Sequence, residues 1–308
     1  MKYLITGGAG FIGSNIVTEL VNRGEEVRVL DNFSTGRREN LLPLLNEIQL
    51  IEGDLTDLET VREAVKGMDF VLHQGALPSI PRSIEHPIGS NNTNVSGTLN
   101  LLIASKDAKI KRVVYASSSS VYGNSSELPK IETQKPAPLS PYAVSKLAGE
   151  HYCQVFYRVY SLETVILRYF NVFGYNQDPY STYSAVIPKF ISCMSRKESP
   201  TIFGDGLQSR DFTFVSNVVE ANLKATQSDS AVGEIINVAS GYSYSLLDLI
   251  AKINSILGFE IEPVFDSPKM GEIKYSLADI TKANKLLDYF ASVDFEEGLR
   301  RTIQWMKS

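Results

Sequence analysis

A doubly wound parallel α/β sheet, with a smaller mixed α/β region grown out of its loops, is the fold this sequence predicts. Three observations predict it. Short β-branched runs alternate with amphipathic segments through the first half, and the first run leads through a glycine cluster into a helix. From about Asn171 the alternation loosens into Tyr-, Pro- and Gly-rich stretches. With 308 residues, 43% of them hydrophobic, the chain can bury one large α/β core and a smaller appended one.

In chain order, the strand-like runs are Tyr3 to Thr6, Glu26 to Leu30, Gln49 to Glu52, Phe70 to His73, Arg112 to Ala116 and Thr164 to Arg168. Helix periodicity follows them, as in Phe11 to Asn22 and Thr93 to Ser105. Thr56-x-x-Glu59 reads as a capping box that opens a helix through Val65, and Gly67 stops it. Ser140 and Pro141 suit the cap and first turn of a further helix. Later helices are expected over Ala185 to Arg196, Ser245 to Leu257 and Phe295 to Met306, between the looser stretches Gly174 to Tyr183 and Ser199 to Gly206. The expected division puts residues 1–170 and about 211–237 in a cofactor-binding domain, and about 171–210 and 238–308 in a substrate-binding one. Ligands of open α/β sheets bind at the C-terminal strand edge, out of which this second region grows.

A net charge of −5 and a pI near 5.4 argue against a nucleic-acid surface, and the short clusters Arg37-Arg38 and Lys109 to Arg112 read as solvated faces. Cys153 and Cys193 lack metal-ligand spacing and are expected to be reduced thiols. His86 and His151 have no acidic partner at ligand spacing, so no metal site is expected. Met1-Lys2 runs straight into the first strand without a signal-type apolar region, and no apolar run reaches membrane-spanning length. The expectation is a cytoplasmic protein with no membrane partner.

Three stretches carry chemistry. In Thr6-Gly7-Gly8-Ala9-Gly10-Phe11-Ile12-Gly13, glycines 8, 10 and 13 fit G-x-G-x-x-G, and glycines 7, 10 and 13 fit G-x-x-G-x-x-G. Between a strand and a helix, either pattern allows the tight turn and the close approach of a pyrophosphate to the helix N-terminus. Asp31 ends the second strand, where a carboxylate accepts from an adenosine ribose and repels a 2′-phosphate, so NAD is favoured over NADP. The small residues of Gln74-Gly75-Ala76 would let a dinucleotide pass over the fourth strand end, while His73 reads as a packed core histidine.

The second stretch is Tyr142-x-x-x-Lys146, a phenol and an ammonium one helical turn apart. A neighbouring ammonium favours the phenolate, so the expectation is a tyrosine with a lowered pKa serving as general base for an alcohol. The third is the serine run Ser117 to Ser120 before Val121-Tyr122-Gly123, where a hydroxyl at the strand end could hold that alcohol and relay its proton.

Together these motifs resemble the extended short-chain dehydrogenase/reductase family, whose sheet is Rossmann-type, and within it the UDP-sugar 4-epimerases. The resemblance runs over the whole chain and includes Asp31-Asn32, Asp54-Leu55, Asn94 with Gly97-Thr98, Arg168 to Gly174, and Phe203-Gly204-Asp205-Gly206 leading to Arg210-Asp211. It implies Tyr142 as base, Lys146 on the nicotinamide ribose, and Ser118, or less readily Ser119, at the reacting C4 oxygen. Gly7, Gly10, Phe11, Ile12, Gly13, Asp31, Asn32, Asp54, Leu55, Gln74, Ala76 and Asn94 would line the cofactor, with Phe170 near the nicotinamide. Asn171 and Arg210 would hold the diphosphate and Phe203 the uracil, with Val186 also on the substrate side.

The chain departs from the pattern at Lys269-Met270-Gly271-Glu272, where the family has Arg-x-Gly-Asp; Lys269 would keep the charge on a phosphate but lose the bidentate fork, and Glu272 would place its carboxylate one methylene further out. Ser119 and Ser120 stand where related dehydratases and decarboxylases carry acidic residues. Ser276 aligns with the position that screens the sugar's C2 substituent, and its small size, with the run Ser79 to Ser83 (including Arg82) and Gln177 to Pro179, resembles the branch acting on N-acetylated UDP-hexosamines. The resemblance therefore implies a homodimeric, NAD-dependent epimerase of UDP-GlcNAc/UDP-GalNAc that also accepts UDP-Glc/UDP-Gal, pairing through the helices Asn92 to Ser105 and Tyr142 to Tyr160. The alternatives are a 4,6-dehydratase, a UDP-glucuronate 4-epimerase or a non-catalytic nucleotide-binding regulator.

Overall fold

The computed structural model describes residues 1–179, 185–268 and 274–307. The first strand, β1 (Lys2–Thr6), feeds α1 (Phe11–Asn22), and β2 (Glu26–Asp31) and β3 (Ile48–Glu52) follow. Next come α2 (Leu58–Val65), β4 (Phe70–His73), α3 (Ile80–Glu85) and α4 (Pro87–Asn91). A π-helical stretch, Asn92–Ser96, joins α4 to α5 (Gly97–Asp107). The central strand β5 (Arg112–Ser118) leads through the serine turn to α6 (Pro141–Tyr160), and β6 (Glu163–Tyr169) returns to the sheet.

Beyond it lie β7 (Val172–Phe173), α7 (Val186–Ser195), β8 (Thr201–Phe203), β9 (Ser209–Arg210), β10 (Thr213–Phe214) and α8 (Val215–Gln227). The chain ends with β11 (Ile235–Val238), β12 (Tyr244–Ser245), α9 (Leu246–Leu257), β13 (Val264–Asp266), α10 (Thr281–Leu287) and α11 (Phe295–Lys307).

Seven strands form one parallel sheet in the order β11-β6-β5-β4-β1-β2-β3. The order reverses between β1 and β4, so a crevice must open above those two strand ends. Strand residues such as Leu4, Ile5, Val71, Val114 and Ile166 are fully buried, as a sheet covered on both faces requires. One face packs on α1 and α8 through Ile16, Val17, Leu20 and Val218, and the other on α2, α5 and α6 through Val61, Leu101 and Cys153. A third apolar cluster, built on Phe173, Phe190, Phe214, Leu249 and Phe295, forms the core of the C-terminal region.

Two local expectations are corrected. The cap of α2 is Asp57, not Thr56: Asp57 accepts from the Glu59 amide at 3.1 Å, while the Thr56 hydroxyl is already committed to Asp54 at 2.7 Å. The helix expected from Thr93 begins earlier, at α4, and passes through the π turn. The seventh strand, β11, has no counterpart among the expected strands; it pairs only with β6, at the edge of the sheet.

Candidate active site

A cleft of about 1100 Å³ opens at the reversal point, along the C-terminal ends of the parallel strands. Its floor is glycine for steric reasons. A Cβ on Gly7, whose φ is +67°, would lie 2.7 Å from the Gly75 backbone, and one on Gly13 would lie 2.1 Å from the Gly7 carbonyl. These glycines let the β1 turn, the start of α1 and the end of β4 meet backbone to backbone, which a pyrophosphate above them needs.

Asp31 is buried at the end of β2 and accepts from the amides of Ala9, at 2.9 Å, and Phe33, at 2.8 Å. Burial raises its pKa, with those two amides pulling the other way. At the neighbouring strand end, burial pulls Asp54 upward, but bonds from the Thr56 amide and hydroxyl and from Asn32 outweigh it and leave its pKa lowered. Both carboxylates line the cleft, as do Gly10, Phe11, Ile12, Asn32, Leu55, Gln74, Ala76 and Phe170. Asp31, Asn32 and Asp54 offer acceptors for ribose hydroxyls, and the glycine turn offers room for phosphates, so the residues present fit a dinucleotide.

The reacting groups meet in the same cleft. The Ser140 hydroxyl caps α6 by accepting from the Ala143 amide at 3.1 Å, with Pro141 in the first turn. One turn apart on that helix, Tyr142 and Lys146 both face the cleft, together with Ser118 from the end of β5. The Ser118 side chain lies near enough to the Tyr142 phenol to favour its ionised form, and the Ser118 hydroxyl accepts from the Ser120 amide at 3.2 Å, which fixes the turn. Lys146 Nζ donates to the Ala116 carbonyl at 2.8 Å and lies 6.0 Å from the Tyr142 ring centroid.

The tyrosine departs from expectation. Burial pushes its pKa up to about 12, with only the Ser118 contact pulling down. The desolvation that makes the site dry costs the phenolate more than the Ser118 contact returns, and the ammonium a turn away does not offset it. Burial also pulls Lys146 down to about 8, against the Cys153 and Glu150 side chains.

His73 is a buried core residue. It is bonded to the hydroxyls of Thr6 at 2.7 Å and Thr98 at 2.9 Å, and burial, with Lys146 nearby, depresses its pKa to about 3.

On the substrate side, Ser79, Arg82, Ser119, Asn171, Arg210 and Ser276 line the cleft. Asn171 Nδ2 donates to the Asp211 carbonyl at 3.0 Å. Asp211 is buried, and four donors converge on its carboxylate: the Ser240 amide and hydroxyl and the Gly241 and Ala278 amides. That node ties β9 to the segment carrying Ser276, whose amide donates to the Ser209 carbonyl at 3.1 Å.

Three expected residues lie outside the cleft wall as described. Asn94 is buried in the π turn, accepts from the Leu77 amide at 2.8 Å and donates to Ser145 Oγ at 3.0 Å, so it braces the loop after β4 against α6. Val186 opens α7 and packs on the C-terminal core, and Phe203 ends β8. Lys269 and Glu272 lie outside the described residues. The cleft also includes Gly36, Gly53, Tyr122, Lys130 and Tyr275, which the sequence reading did not single out as site residues. Two of these carried the usual mark of a close approach, an isolated glycine at a strand end or turn.

What such a site can do is take a proton from an alcohol while a bound dinucleotide takes the hydride, which defines a dehydrogenase/reductase of the short-chain type. Comparison identifies the branch: the chain belongs to the NAD dependent epimerase/dehydratase family, whose model matches residues 3–239. It is an NAD-dependent enzyme of the UDP-sugar epimerase group.

A putative UDP-glucose 4-epimerase of Methanocaldococcus jannaschii is 39% identical over 99% of this chain and 98% of its own. The crystal structure of a Thermotoga maritima UDP-glucose 4-epimerase with UDP-glucose superposes with a TM-score of 0.95 at 35% identity, over 100% of this chain and 99% of that one. A UDP-N-acetylglucosamine 4-epimerase from Methanobrevibacter ruminantium, in complex with UDP-N-acetylmuramic acid, gives 0.93 at 41% identity, over 99% and 98%.

Proposed function

We propose that the protein interconverts UDP-hexoses at C4, preferring UDP-GlcNAc/UDP-GalNAc and also accepting UDP-Glc/UDP-Gal. The observation that carries this reading is the joining, in one cleft, of the Ser118–Tyr142–Lys146 group with the small Ser276. Bound NAD would supply the hydride acceptor for C4 and a positively charged ring. Tyr142 receives the 4-hydroxyl proton, Ser118 holds that hydroxyl on the phenol, and Lys146 supplies positive charge that favours the phenolate against the cost of burial. The resulting 4-keto sugar must turn over and be reduced on its other face, so the nucleotide has to be held firmly and the hexose loosely. Asn171 and Arg210 are assigned to the diphosphate, Phe203 to the uracil, and Lys269 and Glu272 to the phosphates and ribose. Asn94 is assigned to the cofactor side through the Leu77 backbone that it holds.

The division into a cofactor domain (1–170 and about 211–237) and a sugar domain (about 171–210 and 238–308) is part of the same proposal, as are the homodimer and a cytoplasmic location. Among the described residues, no helix is long and apolar enough to cross a membrane.

Purified protein incubated with UDP-GlcNAc should yield UDP-GalNAc without net NADH, and product with a 6-deoxy-4-keto sugar would instead favour a dehydratase. Ser276→Tyr should depress turnover of UDP-GlcNAc relative to UDP-Glc by about tenfold or more. An equal effect on both sugars would remove the size argument.

A further inference from the structure

On α6 the series Tyr142, Lys146 continues one more turn to Glu150, whose side chain is 1% exposed. Its carboxylate accepts two bonds from Arg168 of β6, from Nε at 2.8 Å and Nη2 at 2.7 Å, and a third from the Ser117 hydroxyl of β5. The Arg168 guanidinium lies 4.6 Å from the ring centroid of Tyr122, which lines the cleft, and the Tyr122 hydroxyl donates to Asn237 of β11 at 2.7 Å. Ser117 precedes Ser118, and Arg168 precedes the cleft residues Tyr169, Phe170 and Asn171. One buried pair thus touches the root of every element that brings a reacting group to the cleft. Stability does not call for it, because a buried ion pair is commonly no better than apolar residues of the same volume.

We propose that Glu150 is a positioning residue: its carboxylate, fixed by Arg168, keeps Lys146 charged and holds the Ser117–Ser118 turn in register with Tyr142. Two side chains oppose the loss of the Lys146 proton, Cys153 first and Glu150 second, and the Arg168 cation of β6 is paired to Glu150. The groups facing Lys146 are, on its own helix, Tyr142, Glu150 and Cys153; from β5, Tyr115, with its ring centroid 5.1 Å away, and the Ala116 carbonyl; from β4, His73. Burial pushes the Cys153 thiol and the Tyr115 phenol far up and His73 far down, so all three stay neutral, and before any cofactor or substrate is bound burial raises the Tyr142 phenol as well. Glu150 is left as the anion opposing the loss of the Lys146 proton.

The test compares Glu150→Gln, which keeps the shape and loses the charge, with the fully apolar S117A/E150L/R168M. The Lys146 ammonium is followed by NMR of 13C-labelled lysine side chains, its signal assigned with Lys146→Arg. In Glu150→Gln the titration midpoint should move down by about one pH unit or more, since an anion near the ammonium has been removed. Turnover should fall about tenfold to a hundredfold with KM little changed. The apolar variant should melt at or above the wild-type temperature yet keep the low turnover and the lowered midpoint.

An unmoved midpoint in Glu150→Gln, or wild-type turnover in the apolar variant, would overturn the proposal. Only the turnover arm rests on the UDP-hexose reading. Should the wild type convert no UDP-hexose, that reading fails while the NMR titration still decides the role of Glu150. If the apolar variant does not fold, Glu150→Gln decides alone.

Discussion

At the residue scale, the pair that the sequence marked most clearly is also the one whose electrostatics it could not give. Spacing puts Tyr142 and Lys146 on one helix face, but the drop in dielectric around them depends on β4, β5 and the serine turn closing over α6, which no local window contains. The result is a phenol pushed up to about 12 and an ammonium pulled down to about 8. The ammonium is lost as pH rises through that value, so turnover should decline above about pH 8, and a pH–rate profile still rising there would contradict the assigned role. Replacing Tyr142 by Phe should lower turnover by about two to four orders of magnitude while leaving NAD binding measurable by calorimetry. Near-normal turnover would show that another group takes the proton. Glu150 was legible only as the next step of an i, i+4 series; its partner Arg168 comes from another strand, and the pairing is a tertiary fact.

At the element scale, α6 is held to the sheet by an absence. Gly149 lies so close to Tyr115 of β5 that a Cβ would sit 2.1 Å from the phenol oxygen. In the sequence it is a mid-helix glycine with a cost and no evident benefit. In the fold it sets the distance between the helix carrying Lys146 and the strand whose Ala116 carbonyl receives that ammonium. Gly149→Ala should destabilise by about 1–3 kcal/mol through overpacking and lower turnover as α6 lifts; calorimetric melting and steady-state rates check both.

Asp211 does the corresponding work for the other wall. Asp211→Asn turns one acceptor into a donor facing amides, which should cost about 1–3 kcal/mol. It should also raise KM for the UDP-sugar more than Kd for NAD. The helix ends at Ser140, Asn22 and Leu257 were readable because caps and stops are local chemistry. The two-residue strands β7, β9, β10 and β12 were not, because each exists only through its partner.

At the scale of the whole molecule, the parallel sheet and its reversal point followed from alternation and the glycine turn, since both are period and steric effects visible in one dimension. How the C-terminal region folds over the cleft rests on contacts such as Lys130 with Leu277 and Asp279, about 150 residues apart in sequence. The outer face of the chain carries one further expectation. Ile84 and Ile88, on α3 and α4, and Val144, Val155 and Val159 along α6 are exposed apolar residues, and α3 and α4 pack beside α6. Two copies joined through this face would bury it. Sedimentation should therefore report a dimer for the wild type and a monomer for V155D/V159D, and a wild-type monomer would refute the pairing.

The meeting of Gly7 with Gly75 reaches furthest. A floor made of bare main chain offers selection no side chains to vary, so the seat for a pyrophosphate is fixed by the path of the chain, while the ribose contacts still rest on side chains such as Asp31. The walls are side chains, Ser119, Ser120 and Ser276 among them. Variation in those side chains would change what the cleft holds above the floor without disturbing the seat for the phosphates.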